Sequence, residues 1–136
     1  MEKENTNALS TFKATGKVFT TLKTESLEDK KKLFNARKAC DVMLKDIKGQ
    51  TITVKDIFVS EYEKKELDEN GNPRIGHTTI LFGEDGKTYV TASNYFFNTI
   101  AEIIGLNGGK LSEPITLKIV GKPTKGMGEA LSCEWL

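Results

Sequence analysis

Cysteine, histidine and long apolar runs are all scarce in this chain, and each shortage removes a class of function. The two cysteines, Cys40 and Cys133, stand far apart in the 136 residues and outside any CxxC pair. A disulfide framework cannot organise such a fold; one bridge or, in a cytosolic chain, two reduced buried thiols is the expectation. His77 is the only histidine, so one copy of the chain has too few ligands for tetrahedral zinc, and no cofactor is implied. No apolar stretch approaches the roughly 20 residues that cross a bilayer. The opening residues, MEKENTNALSTFKATGKVF, lack the apolar core and cleavage site of a signal peptide, which makes a cytosolic protein the expectation. GxSxG and HExxH are absent, and the glycine-rich stretch from Gly121 to Gly128 lacks the GxxxxGK[ST] pattern. It also leads into a strand rather than a helix, so an enzyme is not expected.

Charge of one sign is missing as well: the net charge is +1, with 20 basic and 19 acidic residues. The distribution says more than the total. Residues 1–49 are basic on balance and residues 50–136 acidic, and much of the basic excess lies in Lys30, Lys31, Lys32, Arg37 and Lys38. Such a run is either a solvated helix face or a contact for a polyanion, for which local charge counts for more than the net value.

Hydrophobic periodicity orders the rest. Residues 1–10 are polar, and Lys17 to Leu22 alternate weakly as a short extra strand would. Ser26-Leu27-Glu28-Asp29 resembles a capping box opening a helix to residue 48, with a candidate break at Ala39–Asp41. Leu33, Phe34, Ala36, Cys40, Met43 and Leu44 supply its packed face, and Gly49 ends it. A long strand follows from Thr51 to Tyr62. In it Ile52 and Val54 point inward, then the phase slips by one so that Ile57 and Val59 continue the apolar face, which is the trace of a bulge. This phase sends Phe58, Ser60 and Tyr62 outward.

Lys64 to Gly76 is charged and turn-rich, around Asn70-Gly71. A second strand is predicted over His77–Phe82 and a third over Lys87–Ala92, joined by a tight turn at Gly83–Gly86. Ser93 or Asn94 caps a helix to about Ile104, with Phe96 and Phe97 in its core face. A fourth strand is predicted over Ile115–Val120 and a closing strand over Ala130–Leu136, where Trp135 is expected to pack against the barrel or an appended element. Three strands, a helix and two strands from Gln50 onward is the order of an OB-fold. The predicted class is therefore mostly β with helices (α+β): a five-stranded Greek-key barrel, its helix between strands 3 and 4, carrying an N-terminal helical extension. Residues 1–25 form the extension and residues 26–136 the domain.

An OB surface commonly binds oligonucleotides or oligosaccharides on its strands and loops. Single-stranded nucleic acid needs aromatic faces for bases and cations along the phosphates. Phe58 and Tyr62 on the first strand, Tyr89 on the third and His77 at the head of the second are the candidate aromatic contacts. The alternation puts Tyr89 on the outer face, opposite Thr88, Val90 and Ala92. Lys55, Lys64, Lys65, Arg74 and Lys87 surround this strip, and Lys118, Lys122 and Lys125 add charge from the fourth strand and its loop. Each has a plainer reading: a slip of one residue turns Phe58 into core, tyrosines are often half-buried packing, and single lysines are usually solvated.

Several segments carry a resemblance. Lys32-Leu33-Phe34-Asn35-Ala36, then Gly49 to Val59, an acidic turn with Pro73-Arg74-Ile75, and Asp85-Gly86-Lys87-Thr88-Tyr89 before Ser93-Asn94-Tyr95-Phe96-Phe97 are similar to the single-stranded-DNA-binding proteins of bacteriophages of Gram-positive hosts. The nearest resemblance is to those of small tailed phages that replicate by protein priming, over about residues 26–120. It implies a protein of the host cytoplasm that coats displaced single-stranded DNA during replication and stacks bases on tyrosines of the first three strands. Carried over, Tyr62 and Tyr89 are the stacking candidates. Self-association along the DNA and contacts with replication proteins are the further partners considered. Cellular homologues usually end in an acidic tail, whereas this sequence ends Ser132-Cys133-Glu134-Trp135-Leu136, so recruitment through a tail is not expected. The first 25 residues have no clear counterpart. The competing readings are a protein-binding OB module, with Phe58 and Tyr62 as interface anchors, and more weakly an RNA- or oligosaccharide-binding barrel.

Overall fold

The architecture follows from a single long strand that is shared by two halves of a curled sheet. In the computed structural model, residues 19–22, 26–124 and 128–136 are described. The expected strand at Lys17 to Leu22 therefore lies partly outside them, and within them only Phe19–Thr20 (β1) is extended. A helix, α1, runs from Leu27 to Lys38. Then come the two-residue strand Val42–Met43 (β2), a 3-10 turn at Leu44–Ile47, and the 17-residue strand Thr51–Leu67 (β3). Strands Pro73–Gly83 (β4) and Thr88–Thr91 (β5) precede helix α2, Asn94–Leu106, and strands Ile115–Thr124 (β6) and Gly128–Trp135 (β7) close the order.

The predicted bulge is what lets β3 serve two neighbours. Val54 pairs with Gly83 and Asp56 with Phe82, so Lys55 is the extra residue. Thr51 to Val54 bond to β6, whereas the chain beyond the bulge belongs to β4. Ile52, Val54, Ile57 and Val59 are all buried in one core although their spacing changes phase. A bulge bends and twists the strand it interrupts, and here it turns the sheet around that core. The strand order is β2-β5-β4-β3-β6-β7, with β1 added on β3 and β2 parallel to β5. Among the described residues no pairing joins β5 to β7, so the sheet is a curled half-barrel that fits an OB-like fold.

Helix α2 fills the concave side. Ser93 caps it, its hydroxyl accepting from Phe96 N at 3.1 Å, and Phe96, Phe97, Ile100, Ala101, Ile103 and Ile104 are buried. The helix stops at Asn107, whose side chain donates to Ile103 O at 2.8 Å, and Gly108 and Gly109 take positive φ beyond it.

Helix α1 covers the convex side and builds a second, smaller core. Phe58, Ile80 and Phe82 from the sheet meet Leu22 and Ala36 there, with Leu33, Cys40 and Val90 packed against them. Ser26 caps α1 by accepting from Asp29 N at 3.1 Å; Glu28 and Asp29 lie in its first turn and Arg37 and Lys38 in its last, each matched to the helix dipole. A cap of this kind is worth about 1 kcal/mol. The helix ends at Lys38, at the candidate break, and β2 and the 3-10 turn follow in place of a second α-helical stretch. Instead Asp41 fastens the chain to β5, its carboxylate accepting from Thr88 N at 2.9 Å and from Thr88 Oγ1 at 3.1 Å. That anchor replaces the continuation to residue 48 expected from apolar spacing. Phe34, expected in the packed face, is 61% exposed.

The charged segment after Tyr62 is not a loop for most of its length. β3 and β4 continue as a two-stranded arm, turning only at residues 68–72, where the Asp68 carboxylate accepts from Asn70 N and Asn72 N and Gly71 adopts a φ of 83°.

Candidate nucleic-acid interface

The outward surface left uncovered by α1 begins where the arm departs from the sheet. Glu61 pairs with His77, Tyr62 with Gly76 and Glu63 with Ile75. Alternation then sets Ser60 and Tyr62 beside Thr78 and Gly76 on one face, the same face as Phe58, and Lys64 and Arg74 follow two residues along each strand, where the register shifts. Tyr62 lies across Gly76, where a Cβ would stand 2.7 Å from the Tyr62 Oη and 2.8 Å from its Cε2. Only glycine leaves room for that ring, which is flattened on the strand and still 41% exposed. Arg74 and Lys65 are exposed and Lys64 is half-buried. One aromatic face with cations at neighbouring strand positions is what a stacked base and its phosphates require.

The opposite face of the arm is structural. His77 stacks on Phe97 of α2, ring centroids 4.0 Å apart and planes 9° from parallel. Asn94 Oδ1 lies 3.0 Å from both His77 N and His77 Nδ1, while Asn94 Nδ2 donates to Ile75 O at 3.0 Å and Glu61 Oε2 lies 3.3 Å from His77 Nε2. With one ring face on Phe97 and its nitrogens engaged, His77 pins the arm to α2, a role that the sequence reading as a base-stacking candidate missed.

Two other expected aromatic contacts are not exposed. Phe58 does face away from Ile57 and Val59, but it is only 2% exposed, roofed by α1, with the Arg37 guanidinium 5.2 Å from its ring centroid. Tyr89 faces inward, opposite to expectation. It pairs with Leu81 and is buried in the main core, while Val90 pairs with Ile80 and joins the layer beneath α1. The phase reversed because both sides of the sheet are covered here, so the apolar Val90 has a core on the convex side and no longer marks the concave one.

The Tyr89 hydroxyl donates to Asp85 Oδ2 at 2.7 Å. Burial, and then this carboxylate, push its pKa up to about 12. The amide of Lys87 and the Tyr89 hydroxyl in turn hold Asp85 below the usual carboxylate range. Because the folded pKa of Tyr89 lies above the ordinary value near 10, its contribution to stability is complete below pH ~10 and is lost as the pH rises through about 12. The difference in unfolding free energy between the wild type and Tyr89→Phe should therefore be constant to about pH 10 and then fall. Urea titrations across that range would overturn the assignment if the difference did not change.

The remaining cations are dispersed. Lys55 is exposed at the bulge, Lys87 in the β4–β5 turn, and Lys118 and Lys122 along β6, where they pair with Glu134 and Ala130. Lys125 lies outside the described residues. Near Lys87 a groove of about 300 Å³ is lined by Thr51, Ile52, Thr53, Glu84, Asp85 and Tyr89, and its two carboxylates disfavour a phosphate. Neither thiol is activated: burial raises Cys133 to about 12, and desolvation also raises Cys40. No helix of the described residues is long and apolar enough to cross a membrane.

The sequence model of the Phi29-type phage single-stranded DNA-binding protein family matches residues 12–133. The chain belongs to that family. No curated protein and no solved structure matches it. The Phi29-type family is one of DNA-binding proteins rather than of enzymes, and a curled half-barrel is a scaffold suited to that class.

Proposed function

We propose that this chain binds and coats single-stranded DNA, without strong sequence specificity, during phage DNA replication in the host cytoplasm. In this reading β3, β4, β5, β6 and β7 are the five strands of an OB barrel and α2 is its inter-strand helix. The observation that carries the reading is Tyr62, laid open on Gly76 in a chain of this family, with Lys64 and Arg74 two residues along the paired strands. Stacking on an aromatic face accepts any base, and ammonium or guanidinium groups neutralise phosphates without reading sequence. A net charge of +1 leaves affinity to local charge and to contacts between neighbouring copies along the strand. Self-association on DNA and contacts with replication proteins belong to the same proposal.

Fluorescence anisotropy with labelled oligo-dT of several lengths, beside the matching duplex, tests it. Binding should rise with length, be far weaker on duplex, and fall linearly with the logarithm of salt, by about 0.7 per phosphate neutralised. Lys64→Gln and Arg74→Gln should each reduce that slope by about 0.7. Absence of binding to any oligo-dT at low salt would sink the proposal and favour a protein-binding module.

A further inference from the structure

Helix α1 carries an aromatic and cationic surface of its own. Lys30, Leu33, Phe34, Arg37 and Lys38 line a groove of about 520 Å³ on its flank. Phe34 is 61% exposed, and the Lys38 ammonium stands 5.4 Å from its ring centroid. Five basic residues stand against two carboxylates over the 12 residues of the helix, and Glu28 and Asp29 are confined to its first turn. Among the described residues the buried side of α1 is carried by Ala36 with Leu33, and Phe34 stands outside it.

Arg37 joins this groove to the sheet. It lines the groove and also reaches over Phe58, four residues before Tyr62 on the same face of β3. At about 3.3 Å per residue the two positions are roughly 13 Å apart. Because α1 roofs Phe58, Ile80 and Phe82, a strand leaving Tyr62 toward the body of the sheet meets α1 rather than the sheet surface.

We infer that the α1 groove is a second contact for the same single strand: Phe34 stacks a base while Lys30, Arg37 and Lys38 hold the flanking phosphates. The inference rests on the single-stranded-DNA reading above and extends its path from the arm onto the helix. The occupant is set by charge complementarity, since cations around an exposed ring suit a polyanion with flat faces.

The direct test is Phe34→Trp in a Trp135→Phe background, titrated with oligo-dT in the full chain. The introduced indole should be quenched in step with anisotropy, and poly-glutamate at equal charge should leave its emission unchanged. Phe34→Ala should weaken oligo-dT binding roughly 5- to 150-fold, the range of one stacked base. Lys30→Gln with Lys38→Gln should lower the salt slope by about 1.4. Failure of the wild type to bind oligo-dT would remove the broader reading. Wild-type binding with Phe34→Ala within twofold of it, or an indole blind to DNA, would overturn the α1 contact alone. A response to poly-glutamate equal to that to oligo-dT would also overturn it, and would mark the groove as a site for acidic protein segments.

Discussion

Phe58→Ala is expected to lower the unfolding free energy by about 3–5 kcal/mol, the range for deleting a buried aromatic ring. Phe58 is 2% exposed and touches the small core formed with Leu22, Ala36, Ile80 and Phe82. The loss should not be uniform. Helix α1 has 12 residues, and isolated helices of that length are marginal in water. It depends on tertiary contact, yet Ala36 is its one buried residue. The Phe58 ring supplies much of the seat, and Arg37 leans on it from above. Removing the ring should therefore free α1 before the main core yields. Hydrogen exchange should show protection lost first across Leu27–Lys38, and the urea midpoint should fall. A destabilisation below about 1 kcal/mol with α1 still protected would contradict the two-core description. The same variant separates two roles for Phe58, because a ring used for stacking would be missed in DNA binding at full stability.

The inner half of this architecture was legible because its signals were local and unopposed. The slip between Val54 and Ile57 marked the bulge at Lys55; the Ser93 cap with Phe96, Phe97 and Ile100 marked α2; and Asn70-Gly71 marked the arm's turn. Legibility failed where a second layer changed what a pattern means. Alternation at Tyr89 and Val90 assumes one wet face, and the roof of α1 removes that assumption. Phe34 read as core because helical spacing cannot tell which flank of a charged helix meets the sheet. His77 read as a base-stacking candidate because its partners, Glu61, Asn94 and Phe97, are assembled only by the fold. Of the candidate site, Tyr62, Lys64 and Arg74 all lie on the two strands of the arm. Lys55, Lys87, Lys118 and Lys122 are exposed outside the arm, Lys118 and Lys122 on one face of β6, because strand spacing does not say how far a lysine stands from the arm.

Tyr62 and Gly76 offer the sharpest test of the arm, because the glycine controls the ring without touching a ligand. Tyr62→Ala should cost about 1–3 kcal/mol of oligo-dT affinity, the value of one stacked base. Gly76→Val should cost a comparable amount by another route. The backbone at Gly76 is not in the left-handed region, so valine is compatible with the strand, but its Cβ takes the space of the Tyr62 ring, which must lift away. A displaced half-exposed ring should change stability little, whereas a stacking platform turned off its seat no longer presents a face along the strand. The double variant should bind no more weakly than the worse single one, since both changes remove the same contact, and this non-additivity is the signature of coupled residues. Anisotropy titrations of the four proteins at one salt concentration decide the matter. Additive losses would mean that Gly76 acts elsewhere, and full affinity in Tyr62→Ala would remove the arm from the DNA path.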